Sequence, residues 1–252
     1  MKKSIVVVGI GEIGSVFARG FMRCGHPVIP VVRDMKMIDV ATDVPDPELV
    51  IIAVGESDLS DMLSAVPEVW KDRLVLVQNE LLPKDWAQFN LQPTVISVWF
   101  EKKKGMDSKV IIPSPVFGRH AQQVSDALDS IDIATRILDD AASLLHELVL
   151  KNVYILTTNI AGLKVGGNVG ELWMENREVA TQVATEVIQL QEKLTGKALD
   201  TDALIEGMVG VFKGDLNHGC MGRSAPVRLE RALKQAEQNG LDLPTLRAIS
   251  NS

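Results

Sequence analysis

The sequence predicts an α/β doubly wound sheet of the Rossmann type, followed by an all-helical C-terminal domain. From Met1 to about Leu138, short β-branched runs alternate with helical patterns, as a parallel sheet with crossover helices requires. Between the first strand and the first helix stands Gly9-Ile10-Gly11-Glu12-Ile13-Gly14, a glycine turn in the context where such a turn has a function. At Asp139-Asp140 the pattern changes to helices alone, which divides the chain into domains at 1–139 and 140–252.

The expected strands run over 4–8, 28–32, 49–54, 74–77 and 95–100, with further strands at 110–112 and 133–138 and a helix over 119–130 between them. Pro30 inside the second strand removes a donor, which an interior strand would need. A short or absent third strand around Asp39 to Thr42 would leave strand two at the sheet edge and remove the conflict. In the second half, 141–163 is long and apolar and 171–194 is amphipathic; helices over 202–212 and 227–239 follow. Gly240 stands where the last of these would end, with Pro244 just beyond.

The 252 residues suffice for one large domain or two modest ones. A net charge of −7 argues against nucleic acid, which is held by clustered Lys and Arg. The one basic run, Lys102-Lys103-Lys104-Gly105, reads as a solvated hairpin tip. Cys24 and Cys220 cannot build a disulfide framework, so a reducing cytoplasm is the expected setting. The apolar run after Met1-Lys2-Lys3 is too short for a signal peptide, and no stretch approaches a membrane span. His26, His120, His146 and His218 show no ligand spacing, so no metal site is expected.

In the glycine turn, Gly9 permits a sharp bend, Gly11 lets backbone approach a pyrophosphate, and Gly14 lets helix lie close on strand. Free N–H groups at the helix N-terminus then face the phosphates, so Gly9, Ile10, Gly11, Glu12, Ile13 and Gly14 are the expected cofactor contacts. Arg33 ends the second strand with Lys36 near it, a charge pattern that suits the 2′-phosphate of NADP(H), whereas Asp34 keeps NAD open. The strand ends Val54-Gly55 and Gln78-Asn79 lie on the ligand side of such a sheet. Lys151 falls within an apolar helix, and Asn159 lies two turns on, about 80° around the axis. A lysine there either snorkels or serves a site as a proton donor to a carbonyl oxygen.

Together these residues resemble the ketopantoate reductase family of NADPH-dependent 2-keto acid reductases. The similarity is carried by Gly9, Gly11 and Gly14, by His26 to Arg33, by Gln78-Asn79, and by Glu147-Leu148-Val149-Leu150-Lys151. It continues through Asn159-Ile160-Ala161-Gly162-Leu163 and Gly170-Glu171-Leu172. The resemblance implies Lys151 as catalytic acid, Asn79 beside the nicotinamide, and Asn159 in substrate binding, with the site in the cleft between the domains. The chain departs from the family pattern at Ile155 and Gly55, where the family has Asn and Lys. Its segment Gly222-Arg223-Ser224-Ala225-Pro226-Val227 places Pro226 or Ser224 at the position of a family glutamate. Val169 replaces a family asparagine with Asn168 beside it, so Asn168 and, a turn beyond Pro226, Glu230 are the candidate substitutes for substrate binding. The expected function is reduction of a small carbonyl compound of 2-oxo acid type by NADP(H), the helical half serving substrate binding and a homodimer contact. The alternative is a non-catalytic NADP-binding redox sensor or partner-binding protein.

Overall fold

The computed structural model describes residues 2–251. Five of the apolar runs that the sequence marks become strands of one sheet: β1 (Ile5–Val8), β2 (Val28–Val31), β3 (Leu49–Ile52), β4 (Leu74–Leu76) and β5 (Thr94–Ile96), all buried except β2, where only Val31 is. They form the parallel part of a sheet ordered β2-β1-β3-β4-β5. β2 is the edge strand, and Pro30 pairs with Val7 there while its own residue is exposed to solvent. The stretch that would have been a third strand folds instead as helix α2 (Met37–Asp43), after α1 (Glu12–Arg23). The proline is therefore accommodated as an edge residue.

Short helices α3 (Leu59–Ser64) and α4 (Lys84–Ala87) follow β3 and β4. Beyond β5 the run expected over 95–100 breaks, because Ser97 to Trp99 leave the sheet and Phe100 opens a two-stranded hairpin, β6 (Phe100–Glu101) with β7 (Lys109–Val110). The hairpin reverses the chain, so β8 (Ser114–Phe117) returns antiparallel beside β5. Sequence reasoning passed over β8 because Pro113 and Pro115 flank and interrupt it. The strand survives because the Pro115 carbonyl accepts from Ser97 N–H at 2.9 Å and the Ser114 hydroxyl accepts from Trp99 N–H at 2.9 Å. After α5 (Ala121–Asp129), β9 (Thr135–Ile137) pairs parallel to β8 and closes a seven-stranded sheet.

Helices cover both faces of this sheet. One core holds Val6, Val50, Ile52, Leu74 and Trp70, and the other holds Ile5, Val7, Phe17, Phe21 and Ala127. Alternate residues of β1 feed opposite cores, as the two-residue side-chain period of a strand dictates.

All remaining elements are helical: α6 (Ala141–Val165), α7 (Val169–Glu175), α8 (Arg177–Thr195), α9 (Thr201–Phe212), α10 (Ala225–Gln238) and α11 (Pro244–Ser250). The amphipathic stretch expected as one helix is thus two, α7 and α8, parted at Asn176. The last helix, α11, begins at the proline expected to lie beyond the final helix. Its amino end is held by buried Glu186, whose carboxylate accepts the Thr245 and Leu246 N–H groups at 2.7 and 3.0 Å. At the start of α6 the Asp140 carboxylate accepts Ser143 N–H at 2.7 Å. That bond holds its pKa below the usual aspartate range.

The chain forms two compact units, Met1–Leu148 and Val149–Ser252. The first two turns of α6 belong with the sheet, where Leu144 and Leu148 join the core and Glu147 binds Arg136 at 2.5 Å. Among the described residues no helix is long and apolar enough to cross a membrane, and no cluster of three potential metal ligands occurs.

Candidate active-site elements

The glycine turn is built by three close approaches. Gly9 leaves β1 at φ +90°, donates its N–H to Val31 O at 2.9 Å, and would place a Cβ only 2.6 Å from Ala53 O. At Gly14 a Cβ would fall 2.0 Å from Gly9 O, so α1 can lie on β1 only because this residue is glycine. Around Gly11 the opposite holds: no atom lies within 4 Å of a Cβ position, and α1 has no side-chain cap on its first turn. Uncapped N–H groups beside open space are a seat for an anion at the positive end of a 12-residue helix.

The turn forms one wall of a cleft of ≈ 830 Å³, within the range of sites that hold small organic ligands. Gly9, Ile10 and Gly11 line it, as do Val54 and Gly55 after β3 and Arg33 after β2. Six of the expected cofactor residues therefore converge on one space. Glu12, Ile13 and Gly14 do not line it: Ile13 packs toward the core, Gly14 seats the helix, and Glu12 approaches Lys102 at 3.6 Å. Lys102 is thus a cation brought to the first residue of α1 by the hairpin, where the sequence suggested only a solvated tip.

The cleft also gains residues that no motif marked. Met35 and Ile38 line it after β2, beside the Lys36 that the charge pattern pointed to, and Asp58 and Asp61 face it from the segment after β3. Met35 and Ile38 keep 43% and 58% of their surface exposed, an apolar ledge suited to the flat face of a base. Asp34 is not among the lining residues, whereas its neighbours Arg33 and Lys36 are. Spacing could not show this, because the turn out of β2 decides which side chain faces inward.

Gln78 is buried at the carboxyl end of the sheet. Its Nε2 donates to Ile52 O at 2.6 Å and to Val54 O at 3.3 Å, and its Oε1 accepts from Val77 N–H at 3.1 Å. The side chain fixes the end of β3 against that of β4, so its role is to hold the rim that carries Val54. Asn79, half-exposed in the following turn, is not among the residues lining the cleft. Glu80 after it takes a left-handed φ of 57°.

In the helical unit, α6 carries Lys151 with 4% of its surface exposed and Asn159 with 8%, on a helix otherwise dominated by apolar side chains. Asn152 Nδ2 donates to Gln191 Oε1 on α8 at 3.0 Å. Two turns beyond Lys151, the Asn159 Oδ1 accepts from Arg228 Nη1 on α10 at 3.0 Å. Its Nδ2 reaches Thr158 Oγ1 and Cys220 O, both at 3.4 Å. Arg228 escaped sequence reasoning because nothing local marks a bond made across 69 residues. Burial and the nearby Glu171 charge push the Cys220 thiol up to about 11, so its sulfur is not a nucleophile near neutral pH.

Asn168 and Glu230, the two candidate substitutes for substrate binding, lie elsewhere in the helical unit. Asn168 caps α7 in a reciprocal box: its Oδ1 accepts Glu171 N–H at 2.9 Å and its own N–H reaches Glu171 Oε2 at 3.1 Å. Both groups are thereby engaged in starting a helix. Glu230 is exposed, two residues from Arg228 and so about 200° around α10 from the side chain that meets Asn159. Pro226 is exposed in the first turn of the same helix.

An open glycine turn at the carboxyl end of β1, in a doubly wound sheet followed by helices, defines a Rossmann-type nucleotide-binding fold. By sequence, no family model and no curated protein matches this chain. By structure, it is similar to a PanE/ApbA family ketopantoate reductase from Ralstonia eutropha, at a TM-score of 0.68 and 13% identity over 98% of this chain and 96% of the other. A D-mandelate dehydrogenase solved with NADH superimposes at a TM-score of 0.70 and 13% identity, with the same coverage of 98% and 96%. A dimeric ketopantoate reductase from Staphylococcus aureus matches at 0.66 and 16% identity, over 98% and 96%. The fold of those oxidoreductases is therefore the fold of this chain.

Proposed function

We propose that the protein is an NADPH-dependent oxidoreductase that reduces a small carbonyl compound of the 2-oxo acid class. The observation that supports it most directly is the cleft in which the open backbone at Gly11 and the cations Arg33 and Lys36 line one space. A dinucleotide fits that donor set: uncapped helix N–H groups for the pyrophosphate, a guanidinium and an ammonium for a 2′-phosphate, and an apolar ledge for adenine. When bound, the nicotinamide supplies hydride to the carbonyl carbon.

The rest falls to the chain. Lys151 donates a proton to the carbonyl oxygen as negative charge develops on it, a task suited to an ammonium shielded from water. Asn79 orients the reacting groups at the end of β4, and the Asn159 amide binds substrate. Asn168 and Glu230 take no part in this scheme, since one starts α7 and the other faces solvent. A homodimer accords with the dimeric ketopantoate reductase of the same fold.

The test has two parts. Titration should give tighter binding of NADPH than of NADH, and NADPH oxidation should accelerate with one member of a panel of 2-oxo acids, aldehydes and imines. Lys151→Ala should then keep NADPH affinity and lower turnover by about a hundredfold or more, as expected for loss of a general acid. Unchanged turnover removes Lys151 from the mechanism. Tight NADPH binding without turnover on any carbonyl would instead make the protein a non-catalytic NADP-binding sensor.

A further inference from the structure

We infer that Lys102, in the hairpin of β6 and β7, is a positioning residue for nucleotide binding: it draws the Glu12 carboxylate to itself and so keeps it off the anion seat that begins α1. The inference rests on the nucleotide-binding half of the reductase reading and gives a task to the basic run that the proposed function leaves unused.

Glu12 poses the difficulty that Lys102 answers. As the first residue of α1, next to Gly11, it brings a carboxylate to the positive end of a helix whose first turn has no side-chain cap. Free N–H groups there attract any anion within reach, and the nearest is the chain's own. A carboxylate lying over them would take the place of a pyrophosphate and repel it. Yet Glu12 neither caps the helix nor lines the cleft. Its Oε2 stands 3.6 Å from Lys102 Nζ instead.

The hairpin fixes Lys102 for this task. Phe100, two residues earlier, is buried against Phe17 of α1 with ring centroids 6.3 Å apart, and the two-residue period of an extended chain turns Lys102 to the same side. An ammonium has three N–H donors. Lys102 gives one to the Lys103 carbonyl at 2.9 Å and one to the Met106 carbonyl, which leaves one for Glu12. Its side chain is 19% exposed, against 66% for Lys103, which pairs with Glu101 at 3.2 Å inside the hairpin. Of the three lysines in the run, the one withdrawn from solvent is the one that meets α1. With its donors so engaged, Lys102 acts on the phosphates through Glu12 rather than by touching them. An ion pair this close to the surface contributes little to stability, so its effect belongs in affinity.

NADPH and NADH are the probes, titrated calorimetrically into the full-length protein. Lys102→Met keeps the apolar stem and removes the charge. It should weaken both nucleotides alike, by about fivefold, the size of one charge at a helix terminus, because both carry the pyrophosphate. Adding Glu12→Gln to Lys102→Met should return both affinities to within about twofold of wild type, as coupled sites require. Lys102→Arg, which keeps the cation, should bind as wild type does. Equal affinities in wild type and Lys102→Met would overturn the inference, as would a loss confined to NADPH. So would a double variant as weak as Lys102→Met, the result expected if Lys102 only shaped the hairpin or touched the phosphates itself. That comparison holds even where Lys102→Met lowers the melting temperature, since the two variants share the altered hairpin and differ only at Glu12. Loss and rescue of affinity with no turnover of any carbonyl would overturn the reductase reading and leave Lys102 in this role. Turnover with an NADPH affinity indifferent to Lys102→Met would do the reverse.

Discussion

Asp85 illustrates how a single side chain can serve local structure at a cost to stability. Its Oδ2 accepts Leu82 N–H at 2.7 Å and so fixes the start of α4. Burial nevertheless raises its pKa, outweighing that hydrogen bond and the nearby Lys84 charge. The folded state therefore holds the proton more tightly than the unfolded chain does. Its stabilising contribution is full below the ordinary aspartate pKa of about 4 and is lost as pH rises through the higher folded value. Asn at this position keeps an acceptor for Leu82 and carries no charge. Asp85→Asn should thus melt at a higher temperature than wild type at pH 7, and the gap should close as pH falls toward 3. A gap independent of pH would mean that ionisation of Asp85 costs nothing in the fold.

At the scale of elements, what the sequence made legible follows from period and what it hid follows from tertiary partners. β1, β2 and β4 were readable because β-branched runs bounded by turn residues have few other uses, and even the exposed Pro30 correctly pointed to an edge. β8 was hidden by prolines whose lost donors the neighbours do not require. α7 and α8 merged in the sequence because their apolar patterns run on, whereas the structure parts them at Asn176. The cap at Asn168 is visible in the sequence only as a polar residue, since a capping box and a ligand contact draw on the same side chain. The cap itself is testable. Asn168→Ala should lower stability by about 1 kcal/mol, the usual cost of losing an N-cap. Denaturant unfolding should register that loss with the slope of the transition unchanged. A tenfold rise in KM instead would return Asn168 to the substrate side.

For the whole molecule, the decisive contrast is between net charge and local charge. The chain carries −7 overall and should repel an anion as multiply charged as NADPH. The cleft nevertheless sets Arg33 and Lys36 among its lining residues, with Asp58 and Asp61 also lining it. The sequence identified the glycine turn and Arg33 because backbone freedom and strand ends are local properties. It did not identify Met35, Ile38 or the two aspartates, whose approach depends on how α2 and α3 fold. Because Arg33 is exposed, its attraction for a 2′-phosphate is screened by salt over roughly 10 Å at 0.1 M. NADH lacks that phosphate but shares the pyrophosphate seat. Affinity for NADPH should therefore fall more steeply with added salt than affinity for NADH. Arg33→Gln should weaken NADPH by about tenfold, change NADH by less than twofold, and bring the two salt slopes close together. Parallel slopes in wild type, or an equal loss for both nucleotides in Arg33→Gln, would move the 2′-phosphate away from Arg33 and leave only the pyrophosphate seat at Gly11 as the basis for nucleotide binding.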